Sequence, residues 1–434
     1  MSDDGHRMHT WASDLWPYPR SLTGYGVRQT LEYLAQILTG LEIHEVPTGS
    51  PAQDWEVPNE WTVREAYFVD PNGRRHAEWK TNNLHLLGYS SPINDTMSLE
   101  ELDRHLYTSP AARDAVPYVT SYYTERWGFC ISKEERDLLP QGDYKVVIDT
   151  DLSPGSLTYA DLVLPGRSKS EVMLSTYVCH PSMANNELSG IVVQAALASW
   201  IAKQDNLWYS YRFVFAPETI GALVYLEKHL DHLRESVKAG WVISCVGDPG
   251  PYSIIPSRRE GTLSERVLRR ALRQLEHDVV NYNWADRGSD ERQWCAPLVD
   301  LPMCGFSRSK YGTYPEYHTS LDDLSLVTPQ ELEASLRVLQ RCVCILEEHP
   351  RFQVATTGEP QMGRRGLYPT LSNQSGGAAR RDMTSLSTRR LMDILSYCDG
   401  TLDAIELAAL VDQSLDDVLT ALNTLEEASL VRRV

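Results

Sequence analysis

The sequence contains no long apolar run. Its longest nearly apolar stretch, residues 190–202, has 13 residues and includes Gln194, whereas a helix that crosses a bilayer needs roughly 20 apolar residues. We therefore expect no membrane partner. The first ten residues, MSDDGHRMHT, are polar and acidic, unlike the basic and then apolar start of a secretory signal. These features predict a cytoplasmic protein.

Basic residues are scarce, with 41 Lys and Arg against 59 Asp and Glu and a formal net charge of −18. An acidic chain is repelled by phosphate backbones and by anionic lipids. The composition therefore argues against nucleic acid as a partner.

Motifs of several common enzyme classes are absent. The chain has no phosphate loop of the Walker type, no Gly-x-Gly-x-x-Gly after a strand and no Gly-x-Ser-x-Gly nucleophile elbow. Its eight cysteines include no Cys-x-x-Cys pair, which indicates reduced and mostly buried thiols. A Cys179–His180 dyad is disfavoured, because adjacent side chains in an extended segment point to opposite faces.

Strand-like and helical segments alternate over residues 172–346. Apolar strand-like runs occupy residues 172–178, 211–215, 241–246 and 301–306, and helical segments occupy residues 188–202, 219–230, 263–275 and 329–346. This βαβ pattern predicts a parallel or mixed sheet covered by helices on both faces. Thr328 as N-cap, followed by Pro329 and Glu331, marks the start of the last helix. Residues 22–39 predict another amphipathic helix.

Residues 52–140 differ in character from this α/β region. Short alternating stretches and turns predict a small β-rich insertion. The α/β domain then comprises residues 1–51 and 141–352. The insertion is rich in aromatic residues, and we expect their side chains either to fill a core or to line a ligand site. These residues are Tyr107, Tyr118, Tyr122, Tyr123, Trp127 and Phe129.

The last part of the chain predicts a separate small domain. Residues 353–382 are interpreted as a linker, and residues 383–434 carry three short amphipathic helices and an apolar-basic end, which is typical of a winged helix-turn-helix. Residues 383–434 hold four Arg against nine Asp and Glu, so a docking or dimerisation role is favoured over DNA binding. A homo-oligomer remains an open alternative.

Polar residues follow the strand-like runs at four places, where α/β sheets form their ligand crevice. His180 and Glu187 follow the first run, Glu218 the second and Asp248 the third. Glu316 and His318 lie two residues apart after the fourth run and share one side of the backbone if it is extended. Two histidines with several carboxylates form the donor set of a catalytic zinc site, although each histidine taken alone is more often structural.

The chain resembles a bacterial aminopeptidase-like family with a domain of unknown function, and is more distantly similar to the co-catalytic zinc aminopeptidases. The close resemblance covers most of the chain. It rests on the segments Pro19-Arg20-Ser21-Leu22-Thr23-Gly24, Asp54-Trp55-Glu56-Val57-Pro58, 118–123, 127–130, 180–190, 286–292 and 316–320. It implies an α/β fold with a zinc-aminopeptidase-like mixed sheet flanked by helices, a small β-rich inserted domain and a C-terminal winged helix-turn-helix.

The looser resemblance to zinc aminopeptidases also implies roles for single residues. It places Glu218 as the general base and His180, Glu187, Asp248 and His318 as metal ligands. The bridging Asp of those enzymes falls at Asn186, and two further ligands fall at Thr219 and Ser244. These departures favour one zinc ion over two.

The resulting functional hypothesis is a zinc-dependent aminopeptidase-like amidohydrolase. Its partner would be a small peptide or an aminoacyl or acylamino precursor. Arg259 and Arg287 are candidates for binding a substrate carboxylate or oxyanion, and Glu316 is a third candidate for substrate contact. The alternative is a catalytically degenerate scaffold that binds a ligand and regulates or docks through its winged helix.

Overall fold

Apolar runs of the sequence form the strands of a large mixed sheet, and the amphipathic segments form helices. The computed structural model describes residues 3–367 and 383–434. Two compact units make up the chain, Met1–Cys342 and Val343–Val434. Within the described residues, no helix is both long enough and apolar enough to cross a membrane.

The described helices and strands follow in chain order. The helices are α1 (Asp4–Leu15), α2 (Tyr25–Ile37), α3 (Leu99–Asp103), α4 (Lys133–Asp137), α5 (Ser189–Ile201), α6 (Ile220–Ser236), α7 (Leu263–Gln274), α8 (Glu291–Trp294), α9 (Pro329–Glu348), α10 (Met383–Ser396), α11 (Ala404–Leu410) and α12 (Leu415–Glu427). The strands are β1 (Glu42–Pro47), β2 (Pro51–Ala52), β3 (Trp55–Glu56), β4 (Glu60–Val69), β5 (Arg75–His76), β6 (Ile93–Ser98), β7 (Leu106–Tyr107), β8 (Phe129–Cys130), β9 (Asp143–Ser153), β10 (Ser156–Leu164), β11 (Glu171–Tyr177), β12 (Ser210–Ala216), β13 (Val237–Ile243), β14 (Tyr252–Ile255), β15 (Val279–Asn281), β16 (Met303–Ser307), β17 (Arg351–Val354), β18 (Asp399–Asp403) and β19 (Val431–Arg433).

The large sheet of the first unit has the strand order β1-β10-β12-β11-β13-β16-β14-β15. Its central strands β12, β11, β13 and β16 are parallel to their neighbours in this group. Every residue of β11 and β12 is buried, as expected for strands covered on both faces. The carboxyl ends of these parallel strands therefore meet at one edge, where the polar segments of the sequence follow them.

Helix α5 passes through the centre of the first unit. Nearly all of its residues are buried, because its sequence is apolar around the whole circumference. Gly190 lies so close to β13 that an added Cβ would be 2.5 Å from the carbonyl oxygen of Ile243. A glycine is needed at this contact, which places the start of α5 directly against the sheet edge.

A second, four-stranded sheet has the order β5-β4-β9-β6. Its core contains Phe68, which packs edge-on against Phe129 at 5.3 Å between ring centroids and lies 5.9 Å from Tyr144. Strand β9 pairs with β4 from Lys145 to Ser153, so this sheet extends past residue 140. Phe129 is thus one of the aromatic residues that fill a core.

The predicted element positions differ from the structure mainly at their ends. The run at 241–246 forms a strand that spans Val237–Ile243 instead, because residues 237–240 pair with β11 in parallel register. Helix α9 begins at Pro329 as expected, and the Thr328 hydroxyl accepts the backbone N–H of Glu331 at 3.2 Å.

The second unit contains a three-stranded sheet of order β18-β17-β19 with helices α10 to α12. Its core includes Ile394, Leu407, Leu422 and Leu425. Of the predicted linker, residues 368–382 lie outside the described residues.

Candidate functional site

The candidate site lies at the carboxyl ends of β11 and β12, in the first unit. His180 follows β11 and is 3% exposed. Its Nδ1 atom lies 2.9 Å from Oε2 of Glu187, and its Nε2 atom lies 3.7 Å from Oε2 of Glu218. The imidazole is thus oriented by one carboxylate and faces another.

Glu187 belongs to a π-helical turn, Ala184–Leu188, that precedes α5. Turns of this kind are rare in proteins, and those that occur are often found at functional sites. Asp322 holds the turn, since its carboxylate accepts the backbone N–H groups of Asn185 at 2.6 Å and Asn186 at 3.0 Å. Burial raises the pKa of Asp322 to about 6.

Arg20 completes a buried chain behind His180. Its Nε atom donates to the carbonyl oxygen of His180 at 3.0 Å and lies 3.6 Å from Oε1 of Glu187. Burial lowers the pKa of Arg20, and the negative charge of Glu187 raises it by a smaller amount, so the net pKa is lowered. Burial also lowers the pKa of His180, but the hydrogen bond and charge of Glu187 outweigh it and the net pKa is raised.

This arrangement decides on which side of His180 a cation fits. Cys179, His180 and Glu187 bring donor atoms within 4.8 Å of one another, but the Arg20 guanidinium already neutralises Glu187 there. A histidine that binds a metal commonly donates its other ring N–H to a carboxylate. Glu187 occupies that position at Nδ1, so Nε2, which faces Glu218, is the nitrogen left for a cation.

His318 lies beside His180, with 5.4 Å between the ring centroids. Among the described residues its Nε2 atom is buried and has no hydrogen-bond partner. Burial and the neighbouring His180 lower the pKa of His318 to about 3, so the ring is neutral, which is the form that binds metals. Tyr118 packs against both imidazoles, at 5.3 Å and 5.1 Å.

The spacing of the two imidazole rings is compatible with two ligands of one zinc ion. Imidazoles that bind one tetrahedral ion through bonds of about 2 Å have ring centres roughly 5 Å apart, close to the spacing of His180 and His318. An ion between them would also satisfy the orphaned Nε2 atom of His318. A second group in the described chain, Glu42, His44 and Asp161, also brings its donor atoms within 4.8 Å, and it lies on the edge strand β1 and its neighbour β10.

Glu218 is presented by a strained turn. The backbone N–H of Ile220 donates to the carbonyl oxygen of Glu218 at 2.8 Å, and Thr219 between them has φ 64° and ψ −74°. This is a γ-turn with positive φ, which is rare and strained, and strain of this kind clusters at functional sites. The Glu218 side chain is 23% exposed, and burial raises its pKa.

Asp290 adds a buried carboxyl group that the sequence reading did not place at the centre of the site. Its Oδ1 atom accepts the backbone N–H of Thr219 at 2.7 Å. Burial, together with the charge of Glu218, raises the pKa of Asp290 well above its usual value. Ser289 beside it donates to Oε1 of Glu218 at 2.9 Å. In the sequence, Asp290 lies in the segment 286–292 and is a possible partner for an arginine or a substrate amine.

Asp248, a proposed ligand, is occupied by protein donors. Its carboxylate accepts Asn185 Nδ2 at 2.9 Å, Ser309 Oγ at 2.6 Å, and the backbone N–H groups of Gly250 at 2.7 Å and Ser309 at 3.2 Å. It therefore braces Asn185, one residue before Asn186 and two before Glu187.

Of the three residues proposed for substrate contact, Arg259 and Arg287 have side-chain partners within the protein, and Glu316 contributes a backbone contact. Arg259 forms an ion pair with Asp300, and the guanidinium of Arg287 lies 4.8 Å over the Trp284 ring. The carbonyl oxygen of Glu316 accepts the Thr319 hydroxyl at 2.8 Å. The structure brings His180, Glu187, Glu218 and His318 together. The contacts described for Arg259, Arg287, Glu316 and Asp248 lie outside that group.

A cleft of about 280 Å³ opens over Glu218 and Cys179. The residues that line it include Trp55, Tyr122, Thr219 and Arg292. The cleft is large enough for a small ligand and gives that ligand direct access to the Glu218 carboxylate.

Comparison with known proteins confirms the predicted resemblance and fold class. The chain is 37% identical over 375 residues to a Clostridium acetobutylicum protein described provisionally as a polysaccharide biosynthesis protein with an aminopeptidase-like domain, covering 86% of each. A crystal structure from the same organism, described provisionally as a peptidase, matches with a TM-score of 0.81 and 33% identity over 99% of this chain and 96% of that one.

More distant structures share the fold alone. A zinc aminopeptidase from Bacillus subtilis has a TM-score of 0.56 at 12% identity, covering 78% of this chain and 94% of that one. The sequence-family model of a winged helix-turn-helix matches residues 351–433. The sequence-family model described as "Domain of unknown function (DUF4910)" matches residues 9–349. The chain therefore belongs to the DUF4910 family, with an aminopeptidase-like α/β fold followed by a winged helix-turn-helix domain.

Proposed function

We propose that this chain is a zinc-dependent amidohydrolase that cleaves an amide or peptide bond in a small peptide or in an aminoacyl or acylamino precursor. The observation that carries the proposal is the pair His180 and His318. The Nε2 atom of His318 is orphaned, and the Nε2 atom of His180 lies 3.7 Å from the carboxylate of Glu218, which lines a cleft. The aminopeptidase-like domain of the related Clostridium acetobutylicum protein supports it.

His180 and His318 would hold the zinc ion through their Nε2 atoms. Bound there, zinc supplies a Lewis acid that polarises a carbonyl group and lowers the pKa of water. Glu187 and Arg20 keep the His180 ring in place from behind. In this refinement of the ligand set, Glu187 orients His180 and Asp248 braces the turn that carries Glu187.

Glu218 is the proposed general base. Ser289 donates to Oε1 of Glu218 at 2.9 Å, which leaves Oε2 to accept a proton from the attacking water. The same oxygen then gives the proton to the departing amine, so the base is regenerated. Burial raises the pKa of Glu218, which favours the carboxylate as a proton acceptor.

The test is hydrolysis of a panel of aminoacyl anilides, dipeptides and N-acyl amino acids by the zinc-loaded chain and its Glu218→Gln variant. Glutamine retains an acceptor for Ser289 but cannot take a proton. We expect kcat to fall by about 100-fold to 10,000-fold, with unchanged zinc content and circular dichroism. A Glu218→Gln variant as active as the wild type would contradict the assignment of the base.

A second candidate is a ligand-binding scaffold without turnover. Asn186, at the position of the bridging Asp in the zinc aminopeptidases, accepts the Tyr177 hydroxyl at 2.8 Å through Oδ1, and Thr219 replaces another ligand. Binding of panel members in calorimetry with no product at any pH from about 5 to 9 would favour the scaffold. Zinc-dependent product formation would exclude it.

A further inference from the structure

Arg292 is the one cationic side chain among the described residues that line the cleft over Glu218. It lies in α8, is exposed, and donates to the Thr219 hydroxyl at 2.6 Å. No carboxylate of the described chain forms an ion pair with it. The arginines that the sequence suggested for substrate contact are already engaged, Arg259 by Asp300 and Arg287 by Trp284.

The charge around Arg292 makes the missing ion pair notable. Glu218, Asp290 and Glu291 lie nearby, and the positive charge of Arg292 lowers the pKa values of Glu218 and Asp290 against the raising effect of burial. Glu291 is turned inward, where its Oε1 atom accepts the Tyr311 hydroxyl and the backbone N–H groups of Gly288 and Ser289. The guanidinium therefore keeps donors for a ligand in the cleft.

The cleft also has an aromatic lining, which includes Trp55 and Tyr122. Trp55 is 45% exposed at the end of the hairpin formed by β2 and β3. Gln53 in the hairpin turn donates its backbone N–H and its side-chain Nε2 to Glu227 of α6, at 3.1 Å and 2.8 Å. Tyr123 packs edge-on against Trp55 at 5.8 Å. An anchored, exposed tryptophan is suited to contact with an apolar or planar ligand group.

We propose that Arg292 binds a carboxylate on the leaving fragment of the substrate, so that the enzyme prefers amides whose departing amine carries a free carboxylate, such as dipeptides and N-acyl amino acids. This inference rests on the proposed function. Glu218 gives its proton to the departing amine, so the leaving fragment lies on the Glu218 side of the cleft. Thr219 follows Glu218 directly and contacts Arg292, which brings the guanidinium within reach of that fragment. Its planar fork matches a carboxylate with two hydrogen bonds.

The test compares Leu-Phe with Leu-Phe-amide, which differ only in the terminal carboxylate. Wild type, Arg292→Gln and Arg292→Lys are assayed with zinc, and Arg104→Gln, at an exposed site directly after α3, is the matched control. We expect KM for Leu-Phe to be at least tenfold lower than for its amide in the wild type and in the control. Arg292→Gln should abolish that ratio, and Arg292→Lys should restore part of it.

Equal KM values for the two peptides in the wild type would overturn the inference and leave the hydrolase proposal standing. An equal fall of kcat for both peptides in Arg292→Gln would also overturn it, because that result describes a role in the chemical step. If neither the wild type nor any variant shows turnover, the proposed function fails. Calorimetric binding of Leu-Phe and of its amide then tests the carboxylate site by itself. Binding that exceeds that of the amide and is lost in Arg292→Gln supports the carboxylate site, and its absence overturns it.

Discussion

Asp290 shows, at the scale of a single residue, how burial acts on a carboxyl group. It is 1% exposed, and burial with the charge of Glu218 raises its pKa well above the usual value. The native state therefore holds this proton more tightly than the unfolded state. By linkage, stability is fully present below the unfolded pKa of about 4 and is lost as pH rises through the folded pKa.

Asp290→Asn should remove this pH dependence. Asparagine can still accept the Thr219 N–H at the position of Oδ1 and carries no charge at any pH. Between pH 5 and pH 8, the free energy of unfolding should fall more for the wild type than for Asp290→Asn, as measured by urea titration. Asp205→Asn, at an exposed turn, should behave as the wild type. Parallel curves for all three proteins would contradict this account of Asp290.

The γ-turn between β12 and α6 is the element that presents Glu218. Thr219 has φ 64°, a conformation that strains any residue with a Cβ atom. The free energy of unfolding should therefore be about 1 kcal/mol larger for the Thr219→Gly variant than for the Thr219→Ala variant. At Thr150, inside strand β9, the same pair should rank in the opposite order, because glycine weakens a strand. Chemical unfolding of the four variants measures both differences, and an alanine variant at 219 as stable as the glycine variant would argue against strain.

Some parts of the site follow from sequence pattern and others do not. Apolar runs of strand length predict the parallel strands, and their carboxyl ends must meet at one edge, which brings His180 and Glu218 together. Arg20 is distant in sequence from His180, and Asp290 is distant in sequence from Glu218. Only tertiary packing therefore places Arg20 behind His180 and Asp290 beside Glu218. The π-helical turn at Glu187 and the γ-turn at Thr219 have no propensity signal, because both are unfavourable conformations fixed by surrounding contacts.

Net charge acts at the scale of the whole molecule. The formal charge of −18 opposes association with phosphate backbones, and the winged helix-turn-helix itself carries an acidic excess. We expect no retarded band in a gel-shift assay with random duplex DNA at about 50 mM salt, where electrostatic binding is strong. A retarded band at this salt that disappears at about 200 mM would contradict the expectation and identify a basic surface.

The central claim is that His180 and His318 together hold one zinc ion. The most direct test is elemental analysis of protein purified without chelator or metal-affinity resin, beside His180→Ala, His318→Ala and His44→Ala variants. His44 is the matched control, because it belongs to the separate group with Glu42 and Asp161. We predict about one zinc per chain in the wild type and in His44→Ala, and loss of that zinc in each of the other two variants. No bound zinc, none taken up on titration at neutral pH, or loss of zinc only in His44→Ala would contradict the account.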